Sequence, residues 1–99
     1  MIVVLAAASA PRLTDVERFD RLHAELHGDL DDARLEPLCR RSDEPGHVWL
    51  RIAEARARGA DASSGDDFNA GFDAMIEYAA SHGWLDAAGT HVRAHVRSV

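Results

Sequence analysis

From His91 to Arg97 every second residue is apolar (Val92, Ala94, Val96), and each of the others is histidine or arginine. A period of two held over seven residues marks a β-strand with one face in a core and the other in water. The chain must therefore build a sheet that is covered on one side only. Every other segment has to be fitted to that sheet.

Ile2-Val3-Val4-Leu5, a β-branched run followed by small residues and Pro11, predicts a central strand buried on both faces. Thr14-Asp15-Val16-Glu17 has the pattern of a capping box, and Val16, Phe19, Leu22 and Leu26 follow it at spacings of three and four. A helix stopped by Gly28 is expected there. The middle third is compatible with either helix or strand. In Val48-Trp49-Leu50-Arg51-Ile52 a helix would spread the large apolar groups around its cylinder, whereas a strand puts Val48, Leu50 and Ile52 on one face. Pro37 suits an edge strand, and Ser42-Asp43-Glu44-Pro45-Gly46 is rich in turn formers. Residues 35–41 and 47–55 are thus expected to form a hairpin, against the helix propensity of Ala53-Glu54-Ala55-Arg56-Ala57-Arg58.

Gly59 to Gly65 is small and polar and is expected to be a flexible loop. A second helix is expected to begin near Ser64, with Asp66 and Asp67 in its first turn. It carries Phe68, Phe72, Met75, Ile76 and Ala79 on one stripe and stops at Gly83, with Trp84 folding back over its last turn. In chain order this gives strand, helix, strand, strand, helix, strand. That is the ferredoxin-like split βαβ arrangement (βαββαβ), an α+β fold with four antiparallel strands and both helices on one face. The alternative is a mostly helical domain ending in a β-hairpin, winged-helix-like, whose reading helix would run from Asp66 to His82. Four acidic residues and no arginine in that segment argue against insertion into a DNA groove.

At 99 residues the chain is expected to form a single domain over 1–99. Alanine supplies 18 of its 46 apolar residues, so the core is built from only 28 larger side chains. A core that thin is often completed by a partner, and a homodimer is expected. Seventeen acidic residues against 11 basic ones make nucleic acid and anionic membranes unlikely partners. All the basic residues are arginine, which together with the alanine excess suggests a GC-rich bacterial coding sequence. Cys39 is the only cysteine, which excludes an intramolecular disulfide and a four-thiolate zinc site, and it reads as a core residue. Ala8-Ser9-Ala10 imitates a signal-peptidase site, but no basic residue precedes the apolar run. No stretch approaches the roughly 18 apolar residues of a membrane span, and a cytoplasmic location is expected.

If Leu35, Cys39, Val48, Leu50, Ile52, Val92, Ala94 and Val96 face the helices, the opposite sheet face carries Arg34, Glu36, Arg40, His47, Trp49, Arg51, His91, Arg93, His95 and Arg97. That face is basic while the rest of the chain sums to roughly minus ten. Its chemistry suits an anionic or aromatic small molecule. Arg51 and Arg93 would hold a carboxylate or phosphate, Trp49 would stack, His47 would complete the binding surface, and His91 or His95 would exchange a proton as the catalytic group. The expected function is a small cofactor-independent oxygenase, isomerase or cyclase, with a non-catalytic interaction or regulatory module as the alternative. A metal is not expected. His91 and His95 lie about 13 Å apart along a strand. His23 and His27 have metal-binding spacing on a helix, but Ala24 stands where a His-Glu-x-x-His motif needs glutamate. Asp29, Asp31 and Asp32 lack the glycine and terminal glutamate of a calcium loop, and no glycine-rich phosphate loop or serine-nucleophile elbow is present.

Overall fold

The computed structural model describes residues 1–7, 9–30, 32–63, 65 and 67–99. Its strands are β1 (Ile2–Ala6), β2 (Arg12–Thr14), β3 (His23–His27), β4 (Cys39–Arg41), β5 (His47–Arg51) and β6 (His91–Ser98). Two helices, α1 (Ile52–Ala62) and α2 (Phe68–Ser81), stand between β5 and β6. The strands form one curled, half-barrel sheet in the order β2-β1-β3-β6-β5-β4. The pairings β1 with β3 and β3 with β6 are parallel, while β1–β2, β6–β5 and β5–β4 are antiparallel. Both edge strands have only three residues, which limits the unpaired backbone offered to another chain.

This overturns the ferredoxin-like expectation, because the sheet is six-stranded and mixed where four antiparallel strands were anticipated. The mostly helical alternative falls with it. The helix anticipated between Thr14 and Gly28 is absent. In its place β2 ends at Thr14, Asp15 turns the chain with a positive φ of 47°, residues 15–22 form a loop, and β3 runs to His27. Two signals competed there. Val16, Phe19, Leu22 and Leu26 fit a helical stripe, but His23-Ala24-Glu25-Leu26-His27 also alternates, and pairing with β1 and β6 on both sides decides in favour of the strand. His23 and His27 therefore do not share a helix face. Gly28 does end the element, with φ 88°.

The hairpin is present as β4 and β5, although the first half of 35–41 is a turn that precedes the edge strand, and Pro37 lies in that turn. From Ile52 onward the alanine-rich propensity wins and α1 begins, which puts Gly59 inside a helix and not in a loop. There it is buried against Phe68: a Cβ on Gly59 would stand 2.2 Å from that ring, so the missing side chain is what lets α2 approach α1. The helix expected after Ser64 is α2. Its anticipated start at Ser64 and Asp66 lies outside the described residues. Phe68, Phe72, Met75 and Ala79 are its buried stripe, and Gly83, at φ 75°, follows its end.

One buried cluster joins Val3 and Leu5 of β1, Ala24 of β3, Cys39 of β4, Val48 and Leu50 of β5, and Val92 and Ala94 of β6 to Ala55, Phe68, Phe72 and Met75 of the helices. That is the covered face. Burial pushes the Cys39 thiol up to about 12, which keeps it protonated and inert as a nucleophile. Among the described residues the exposed large apolar side chains are Tyr78 and Val99. No helix of the described residues is long and apolar enough to cross a membrane.

Candidate functional site

Strand register assembles the site. Because neighbouring strands put partnered residues on the same face, the pairs His23 with His95 and His95 with His47 place three imidazoles in one row across β3, β6 and β5, on the face away from the core cluster. The rings of His47 and His95 meet edge-on, with centroids 5.5 Å apart. One step along β6 in the same face stands Arg93, the register partner of Trp49.

Beside that row the sheet opens. On the side of β3, β6 is paired with β3 from His95 onward, while nearer its start it meets the segment after α2: Leu85 bridges Val92, and the Arg93 amide donates to the Trp84 carbonyl at 2.8 Å. Where these two partners of β6 diverge there is a cleft of about 480 Å³. Its polar lining is His23, His47, His95 and Arg93 together with Asp20 and Arg21, its apolar lining Phe19, Leu22, Met75, Ala79, Tyr78 and Trp84. The loop of residues 15–22 is held over the start of β1 by the Met1 amino group, which donates to the Arg18 and Arg21 carbonyls. The Trp84 indole stacks on His82 at 4.6 Å and meets Tyr78 edge-on at 5.9 Å, so its orientation is fixed by neighbouring rings.

Arg93, His47 and His23 each have a polar partner. Arg93 donates to the Glu44 carboxylate at 2.9 Å, and the same carboxylate oxygen lies 3.8 Å from His47 Nδ1. His47 Nδ1 also lies 3.3 Å from the Pro45 carbonyl, and His23 Nε2 lies 3.4 Å from Glu25. The three histidines share a row, but among the described residues no three His, Cys, Asp or Glu side chains are grouped so as to hold a metal ion.

Of the residues singled out in the sequence, His47, Arg93 and His95 line this cleft, and Trp49, Arg51 and His91 do not. Trp49 lies between Arg40 and Arg93 in the sheet register, and Arg51 is exposed opposite His91. His91 is committed elsewhere: its Nδ1 lies 2.8 Å from the Thr90 hydroxyl and 3.3 Å from Asp86. Asp86 accepts from the amides of Thr90 and His91 at 2.8 and 3.1 Å and closes the turn into β6. Sequence reasoning missed His23, whose strand alternates as β6 does, and it missed the apolar lining of Phe19, Leu22, Met75, Tyr78 and Trp84. The alternation at 23–27 was a usable signal. Nothing in the sequence brought that lining next to β6.

Compared with protein-family models, with curated proteins and with solved structures, the chain matches none of them.

Proposed function

We propose that this chain binds a small anionic, aromatic molecule in the cleft between β3, β6 and the segment after α2, with His95 and His47 as the groups able to exchange a proton with it. The observation that carries the reading is a lining of two kinds. Arg93 and the imidazoles of His23, His47 and His95 line the cleft together with the apolar side chains of Trp84, Tyr78, Phe19, Leu22 and Met75. A planar anion satisfies both at once, since its charge pairs with the guanidinium while its ring replaces water on the apolar surface. Both kinds of side chain come from one chain, so the reading requires no second subunit.

The test is a thermal-shift and calorimetric screen of aromatic anions against the wild type and Arg93→Ala. The wild type should be stabilised, and the variant, whose side chain lies outside the core, should fold and bind at least roughly tenfold more weakly, the size expected for a hydrogen bond to a charged group. A wild type unmoved by the whole screen, or an Arg93→Ala protein that binds as well, contradicts it. The second reading, a protein-interaction module, is favoured by one observation: Tyr78 remains 60 % exposed beside His82 and Trp84. Exposed aromatic clusters of this kind are enriched at interfaces.

A further inference from the structure

The charge on the ligand is constrained by what already sits on Arg93. Glu44, in the turn between β4 and β5, does not itself line the cleft, but its carboxylate lies 2.9 Å from the Arg93 guanidinium and 3.8 Å from His47 Nδ1, two residues that do. Its side chain is 60 % exposed, and the turn's own hydrogen bond, from the Glu44 amide to the Ser42 hydroxyl, does not involve the carboxylate. The carboxylate can therefore leave without disturbing the fold. Of the charged residues lining the cleft, Arg21, Arg93 and Asp20, the aspartate is already paired with Arg18, and the group Arg93 holds is a carboxylate.

Resting on the reading of the cleft given above, we infer that the ligand is an aromatic monocarboxylate and that Glu44 is its internal stand-in, occupying the Arg93 and His47 position until a ligand carboxylate displaces it. A guanidinium that donates to one carboxylate can donate to another in the same geometry. The displaced Glu44 loses only an exposed ion pair, so its competition is weak and reversible.

The experiment is calorimetric titration of the wild type and Glu44→Gln with benzoate, phenyl phosphate and benzyl alcohol. Benzoate should bind the wild type, bind Glu44→Gln roughly two- to fivefold more tightly, matching the loss of an exposed ion pair, and exceed both other probes in each protein. Equal or weaker benzoate binding by Glu44→Gln overturns the stand-in role while leaving the aromatic-anion reading in place. Tighter binding of phenyl phosphate than of benzoate overturns the carboxylate, and benzyl alcohol binding as well as benzoate overturns the anion itself. No binding of any probe by either protein overturns this inference and the reading beneath it together.

Discussion

Asp86 shows how one residue decides the role of another. Desolvation pushes its carboxyl up, but the amides of His91 and Thr90, the Thr90 hydroxyl and the facing His91 together outweigh it and hold the pKa at about 2, against an ordinary 3.8. A carboxyl depressed on folding stabilises the native state above its unfolded pKa, and that contribution is lost as pH falls through the folded value. Stability should therefore decline between about pH 4 and pH 2, and urea titrations across that range should show a shallower decline for Asp86→Asn. An unchanged slope in the variant would mean that other carboxylates control acid unfolding. The same hydrogen bonds explain why His91 does not line the cleft. Alternation correctly puts it on the face of Arg93 and His95, but it does not report that Asp86, five residues back, holds the ring at the strand's start and outside the cleft. Face is legible from a period of two, whereas position along the strand relative to a cavity depends on residues far away in sequence.

At the scale of elements, legibility followed the strength of the local pattern. β6 and α2 carry unambiguous periods and were expected close to where they occur, and the β4–β5 turn was marked by its turn formers. The segment from Thr14 to His27 carried two patterns at once, and a capping box outvoted a short alternation that parallel partners then stabilised. α1 was hidden for the opposite reason: glycine at 59 reads as a loop, while in the helix it is the contact point for Phe68. Substituting Gly59→Ala tests that account. Alanine improves helix propensity by about 1 kcal/mol, yet a Cβ against a buried ring overpacks the contact and costs about 1–3 kcal/mol. A net destabilisation in urea unfolding is expected, and a stabilised variant would show that α1 and α2 do not meet at this glycine.

On the scale of the whole molecule, the sheet order and the cleft arise together from long-range pairing. β1, β3 and β6 are parallel neighbours although more than sixty residues separate β3 from β6, and no local signal specifies that adjacency. It is the adjacency that aligns His23, His95 and His47, and the parting of β3 from the Trp84–Leu85 segment that opens the space beside them. The thin core foreseen from the alanine content proves sufficient to close one face, because both helices fold over it and Gly59 allows them to lie close. On the proposed function, this row of histidines, and not the basic strand face at large, meets the ligand. Titrating benzoate into labelled protein while following the histidine imidazole carbon-bound protons by NMR tests it most directly. The resonances of His23, His47 and His95 should move together with one saturation curve, while those of His27 and His91 stay in place. Movement centred on His91, or the same small shift at all the histidines, would contradict the placement of the site.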